Sequence, residues 1–269
     1  MKLEKLLEGL TYELLEGTLQ AEVAEIILDS RKATPGCLFT CIKGAVADGH
    51  KFAPDVASKG AAVIVCEDDI RMEIEKALAG AAMPAIVKVP DSRYALACIS
   101  AAWFGHPAEK LTTIGITGTK GKTTTTYMVK SILEKTGHKV GLIGTIEAVI
   151  GDKHIPAANT TPESYLVQKY FREMVDAGCD SVVMEASSQG FMLHRTAGFI
   201  FDYGIFTNIE PDHIGPNEHK DFNHYLQCKK MLLNQCRVGI VNRDDEHFAH
   251  IIKDVTCELE TYGDRKSVV

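Results

Sequence analysis

Residues 115–124 read GITGTKGKTT, and residue types at these spacings suit one task, the holding of a chain of phosphates. Gly118 and Gly121 let the backbone bend so that successive N–H groups point into one cavity. The start of a helix there adds partial positive charge. Lys122 reaches the terminal phosphates, and the Thr123 hydroxyl can ligate magnesium. The stretch is a shortened phosphate loop: the common pattern has glycine five residues before the Gly-Lys pair, where this chain has Ile116. The competing reading is a plain glycine turn. Against it, threonines fill positions 123–126, each disfavoured in a helix by roughly 0.5 kcal/mol relative to alanine. A local rule broken at a helix start points to a site.

Other candidates lie where apolar runs end. Glu185 follows the run 181–184 and precedes Ser187, Ser188 and Gln189. A carboxylate there is costly unless paired or bound to a cation, and magnesium takes one or two carboxylates beside phosphate oxygens. A salt bridge to lysine is the alternative. His213 follows Asp212 after the run 203–207 and is the preferred histidine. His219 and His224 lack the i, i+4 spacing that sets two histidines on one helix face, so they are expected at the surface or substrate edge. Lys229 and Lys230, amid Tyr225, Met231, Leu232 and Leu233, read by pattern alone as a solvated helix face. Turn chemistry alone explains residues 159–163 and 29–31.

These positions need a scaffold. Strands are expected over 37–42, 61–66 and 85–89, and helices over 70–79 and 92–104. Gly105, His106 and Pro107 open a linker, with a domain boundary near 108. Beyond it strands are expected at 111–117, 140–143, 181–184, 203–207 and 238–241, with helices at 123–136, 162–177 and 221–235. A short apolar pattern follows at 259–262, and 266–269 could begin another strand. Such alternation predicts an α/β chain: a small N-terminal α/β domain (1–108), then a P-loop ATPase-like, mostly parallel sheet domain (109–269), incomplete at its C-terminus. Ligands of such sheets gather at the carboxyl ends of strands.

With 269 residues, 45% of them hydrophobic, the composition is that of a soluble globular protein. A net charge of −7 leaves no basic surplus for general nucleic-acid binding. Neither a signal peptide nor a run near the roughly 20 apolar residues of a membrane span is visible. Eight scattered cysteines without a Cys-x-x-Cys pair argue for reduced thiols in a cytoplasmic setting and against zinc.

In chain order, the segments LDSRKATPGCLFTCIKG, ADGHKFAPDVASKGA, GITGTKGKTTTT, NTTPES, VMEASSQGFMLHR, FDYGIFTNIEPDHIGPNEH, YLQCKKMLL and VNRDDEHF resemble the Mur ligase family of ATP-dependent amino-acid ligases. The likeness is nearest to its MurE-type branch, the UDP-N-acetylmuramoyl-tripeptide synthetases. The resemblance implies that Gly118, Thr119, Lys120, Gly121, Lys122, Thr123 and Thr124 hold the ATP phosphates. It implies that Thr123 and Glu185 bind a first magnesium and His213 a second, and that Lys229 occupies the family's carbamylated-lysine position, with Lys230 a bystander. Leu28, Ser30 and the loop Ala45, Val46, Ala47 would bind uridine. Asn159, Thr160, Thr161, Ser187 and Arg195 would hold the muramoyl-dipeptide.

The implied reaction joins a diamino acid to UDP-N-acetylmuramoyl-L-alanyl-D-glutamate through an acyl phosphate, in peptidoglycan precursor synthesis. It implies a monomer working on small molecules in the cytoplasm. Which diamino acid is joined is left open. Lys120 stands where the family usually has Asn, Gln189 where many members have His, and Pro211 where Arg is frequent. Members continue for roughly 200 residues further, of the order of one or two domains. The alternatives are therefore a non-catalytic nucleotide- and UDP-sugar-binding fragment, or another ligase on the same core.

Overall fold

Apolar runs with buried residues on both faces form the inner strands of the two sheets of this protein, whose computed structural model describes residues 1–44, 47–216 and 218–264. The chain divides into two compact units, Met1–Trp103 and Phe104–Val269. Ala45 and Val46, and the strand expected at 266–269, lie outside the described residues.

The first unit runs α1 (Leu3–Leu6), β1 (Glu13–Glu16), β2 (Glu25–Ile27), β3 (Cys37–Thr40), α2 (Ala53–Ser58), β4 (Val63–Cys66), α3 (Arg71–Leu78), β5 (Ala85–Lys88) and α4 (Ser92–Trp103). Its sheet has the order β1-β5-β4-β3-β2, parallel except where β1 meets β5. β3 and β4 are buried at every residue, as expected of strands covered on both faces.

The second unit runs β6 (Thr112–Thr117), α5 (Lys122–Lys135), β7 (Val140–Ile143), β8 (Glu147–Ile150), β9 (Lys153–Pro156), α6 (Ser164–Asp176), β10 (Ser181–Glu185) and α7 (Ser188–Met192). It continues with β11 (Phe201–Phe206), α8 (Phe222–Asn234), β12 (Cys236–Asn242), α9 (Phe248–Ile252) and β13 (Glu258–Tyr262). Among the described residues the sheet order is β13-β12-β11-β6-β10-β7-β8-β9. The six strands from β13 to β7 are parallel, and β8 and β9 add an antiparallel edge.

Side chains alternate across β10. Val182 and Met184 enter the cluster holding Phe171 and Met174 of α6 and Leu232 and Leu233 of α8. Val183 enters the opposite cluster with Ile114, Ile116 and Val140, against Val129 and Leu133 of α5. The sheet is thus covered on both faces, and β6 lies between β10 and β11 at its centre. Register sets the strand ends level: Glu185 pairs with Ile116, and Phe206 with Thr117. The chain reverses its direction of travel across the sheet beside β6, so a crevice opens at the carboxyl ends of β6, β10 and β11.

Helix 162–177 begins later than expected, at Ser164, and strand 203–207 begins earlier, at Phe201. All eight cysteines are free, as the scattered spacing predicted. No helix among the described residues is long and apolar enough to cross a membrane.

Candidate functional site

The loop after β6 has a shape that favours glycine at two points. Gly118 has φ 149° and Gly121 has φ 81°, and Lys122 opens α5 directly after it. A Cβ on Gly118 would collide with the Thr207 hydroxyl. Positive φ and overpacking together make Gly118→Ala cost about 2–4 kcal/mol. Urea unfolding checks this; a loss below about 0.5 kcal/mol would contradict the tight loop.

The loop is fastened to the ends of neighbouring strands. The Thr119 amide donates to the Asn208 carbonyl at 3.0 Å, and the Lys120 amide to Asn208 Oδ1 at 2.9 Å. The Thr207 hydroxyl donates to the Lys120 carbonyl at 2.9 Å, and Tyr225 donates its hydroxyl to Thr119 Oγ1 at 3.2 Å. Lys120 pairs with Glu210 at 2.6 Å, so its extra positive charge already has a carboxylate partner. Thr124 is exposed in the first turn of α5.

Two lysines converge on this loop. Lys122 Nζ donates to the Gly118 and Thr119 carbonyls at 2.8 and 3.0 Å. Lys229 Nζ, on α8 and 111 residues away in sequence, donates to the same Gly118 carbonyl at 2.7 Å. Lys229 is 1% exposed and lies 4.6 Å from the centre of the Tyr225 ring. Both ammonium groups sit low in pKa because burial disfavours their charge, and Lys229 falls to about 6, helped by the nearby Lys122 cation. The solvated-face reading of Lys229 and Lys230 is therefore corrected. Both are buried, and Lys230 donates to the Lys253 carbonyl. Packing of α8 over β11 and β6 turns this face inward.

The Lys229 shift has a pH consequence. Unfolding returns the amine to its ordinary value of 10.5. From about pH 6 to that value the unfolded chain binds the extra proton, so the Lys229 contribution makes stability rise with pH. Its limiting slope is about 1.4 kcal/mol per pH unit. Lys229→Met removes the contribution. In carbon dioxide-free buffer, the wild-type minus variant stability should grow from pH 6 upward; a pH-independent difference would contradict the buried neutral amine.

Glu185 ends β10 at 1% exposure, and its carboxylate is fully engaged. It accepts from the Thr123 hydroxyl at 3.1 Å, the Thr145 hydroxyl at 3.0 Å and the Thr145 amide at 3.0 Å. No lysine pairs with it among the described residues, so the salt-bridge alternative is not what the structure has. Carboxylate and hydroxyl oxygens together make the hard donor set that magnesium takes. His213 is exposed, with φ 53°, and its Nδ1 meets Glu218 at 3.0 Å, which leaves Nε2 open to a ligand.

A cavity of about 210 Å³ gathers Lys122, Asn159, Thr160, Thr161, Ser187, Arg195, His213 and Lys229, together with Ser188, Gln189 and Glu218. The candidate dipeptide residues thus share one pocket with the loop lysine and Lys229. Thr161 accepts the Ser187 amide at 2.9 Å, and Thr160 and Thr145 exchange a hydroxyl bond at 3.0 Å. Arg195 pairs with Glu163 at 2.7 Å and donates to the Thr161 carbonyl, while its Nε is buried with no described hydrogen-bond partner.

In the first unit Leu28 and Ser30 follow β2, and Ala47 lies in the loop after β3, at the carboxyl edge of two parallel strands. Leu28 is exposed, and Ser30 opens a 3₁₀ turn capped by Asp29, which accepts from the Arg31 amide. Ala45 and Val46 lie outside the described residues.

His219 is a further correction. It is 0% exposed, not at the surface, and its Nε2 lies 2.8 Å from Ser188 Oγ. Sequence reasoning also missed Thr145, Thr207, Asn208 and Tyr225, which brace the loop and Glu185. Thr207 and Asn208 alone gave a signal, as polar residues directly after a strand.

The "Mur ligase middle domain" family matches residues 116–268, and "Mur ligase family, catalytic domain" matches residues 22–104. The UDP-N-acetylmuramoyl-L-alanyl-D-glutamate–2,6-diaminopimelate ligase of Clostridium perfringens is 44% identical over 255 residues, which cover 95% of this chain and 51% of that protein. The ligase of the same name from Bacillus velezensis is 39% identical over 273 residues, covering 98% and 53%. A solved structure of a ligase of that name superposes with TM-score 0.81 at 21% identity, over 100% of this chain and 53% of the other. MurF of Thermotoga maritima in complex with ADP gives TM-score 0.59 at 19% identity, over 91% and 51%. These two likenesses show the fold. The chain spans about half the length of the curated relatives it matches.

Proposed function

The chain belongs to the Mur ligase family, and from that premise we propose that it forms the UDP-substrate and ATP sites of a MurE-type ligase. The observation that carries this reading is the meeting of Lys122 and Lys229 on one loop carbonyl, inside the cavity that also holds Thr161 and Arg195. Residues 1–108 are assigned to the UDP-substrate domain and 109–269 to the ATP domain. The whole protein is read as joining a diamino acid to UDP-N-acetylmuramoyl-L-alanyl-D-glutamate, and the names of its relatives favour 2,6-diaminopimelate.

In the proposed reaction an oxygen of the D-glutamate side-chain carboxylate attacks the γ-phosphorus of ATP. The bond to the bridging oxygen breaks, and ADP departs. The diamino acid's amine then attacks the acyl carbon, phosphate leaves, and the amine proton passes to solvent. The loop amides and Lys122 bind and orient the triphosphate and balance the charge on its terminal oxygens. Arg195 and the hydroxyls of Thr160, Thr161 and Ser187 orient the acceptor.

Magnesium fits the oxygen donors at Thr123 and Glu185, and bound there it would neutralise phosphate charge. His213 is assigned to a second ion. An ammonium cannot ligate a cation, but a carbamate can. The buried Lys229 nitrogen would add to carbon dioxide, forming an N–C bond, placing a negative charge on oxygen and releasing one proton. The family's carbamylated position, the burial and the lowered pKa of Lys229 support this reading.

Calorimetric titration of the chain tests the proposal. UDP-N-acetylmuramoyl-L-alanyl-D-glutamate and magnesium–ATP should each bind at one site. Ser30→Ala should weaken the UDP ligand about 10-fold, the worth of one hydrogen bond, and leave ATP unaffected. Binding of neither ligand, or equal loss of both, would sink the reading.

A further inference from the structure

Outside the nucleotide site, three potential metal ligands converge where the loop after β11 meets α8. Ligand atoms of His219, His224 and Cys228 all lie within 4.8 Å of one another. His224 and Cys228 are four residues apart on α8 and so share one face. His219 reaches them from the loop, its ring centre 5.0 Å from that of His224. Nδ1 of each histidine is buried and has no hydrogen-bond partner among the described residues. His219 itself is 0% exposed and Cys228 is 5% exposed. An orphaned ring nitrogen in such a place has a desolvation cost that a ligand would offset. The other His219 nitrogen, Nε2, is held at 2.8 Å by Ser188 Oγ, the arrangement that fixes ring and tautomer when the opposite nitrogen binds a metal.

We propose that His219, His224 and Cys228 form a site for one borderline-soft divalent cation of the zinc class, with a fourth position open to water. Two imidazoles and a thiolate select such an ion over magnesium or calcium. Tetrahedral bonds of about 2.0–2.3 Å set ligand atoms about 3.3–3.8 Å apart, so a small inward rotation of these side chains closes the set. Binding releases the Cys228 proton to solvent as the thiolate forms. The His219 amide donates to the His213 carbonyl at 3.0 Å. An ion here would therefore tie the loop bearing His213 and Glu218 to the helix bearing Lys229.

Cobalt reads the site directly. The reduced chain, stripped of metal and held in excess magnesium to fill oxygen-donor sites, is titrated with Co²⁺ and then with Zn²⁺ as competitor. One equivalent should give strong visible four-coordinate absorption and a near-ultraviolet thiolate charge-transfer band, both abolished by zinc. Cys228→Ser should lose the thiolate band. Cys228→Ser and His224→Gln should each weaken zinc binding at least about 10-fold, and Ser188→Ala about 10- to 100-fold. Circular dichroism shows which variants fold, and His224→Gln decides alone if Cys228→Ser does not. Absence of stoichiometric binding to the wild type, a thiolate band that survives Cys228→Ser, or unchanged affinity in His224→Gln would overturn the proposal.

Discussion

Lys122→Ala should lower the affinity of the chain for magnesium–ATP by about 30- to 150-fold, the equivalent of about 2–3 kcal/mol for the charged hydrogen bonds it removes. The amine is partly buried, and its described partners are two neutral carbonyls of its own loop. Neutral acceptors satisfy its protons without balancing its charge, which is why burial lowers its pKa. An anionic phosphate would supply what they lack. Fluorescent-nucleotide displacement measures the effect, with Lys122→Arg as a charge-keeping control. The planar arginine fork differs in shape and reach from the compact ammonium, so that variant should recover only part of the affinity. Alanine with unchanged nucleotide affinity would remove the loop from the account.

Glu185→Gln should abolish the magnesium dependence of nucleotide binding while leaving the fold intact. The amide is nearly the shape of the carboxylate, and its oxygen can still accept from the Thr145 amide, which Glu185 engages at 3.0 Å. What it loses is the charge that holds a divalent ion. Wild-type affinity for ATP should fall at least about 10-fold when magnesium is replaced by chelator, a size in keeping with the cost of disturbing a metal shell. The variant should show one affinity under both conditions. A magnesium dependence equal to that of the wild type would assign Glu185 to bracing Thr123 and Thr145 alone.

What the sequence disclosed depended on how local each cause was. β10 is readable because a strand covered on both faces carries a short apolar run, Val182–Met184, and β6 because its isoleucines lead directly into the glycine loop. Glu185 stood out because such a run ended in a carboxylate, and the loop because glycine, lysine and threonine sit within seven positions. Lys229 was different: two adjacent lysines on a helix look solvated until α8 is packed on the sheet and the amine meets Gly118, 111 residues away. The family resemblance, not the pattern, singled it out. His219 is hidden for the same reason, since its partner Ser188 lies on α7, 31 residues away.

Among the elements, β1 and β2 escaped because they are short and partly exposed. The β8–β9 hairpin turns at Gly151, with φ 57°, and its second strand is mostly exposed, so neither continuous apolarity nor clean alternation marks it. Thr145, which follows β7 and braces Glu185, is one threonine among many in the sequence. Side chains that serve by reaching another loop leave no local imprint.

The most direct test is a crystal structure of this chain with magnesium and a non-hydrolysable ATP analogue. The β- and γ-phosphates should lie against the amides around Gly121, with Lys122 turned from the Gly118 carbonyl to the phosphate oxygens and magnesium between Thr123 and Glu185. Lys122 still bound to Gly118 and Thr119 while the nucleotide occupies another surface would contradict the account at its root.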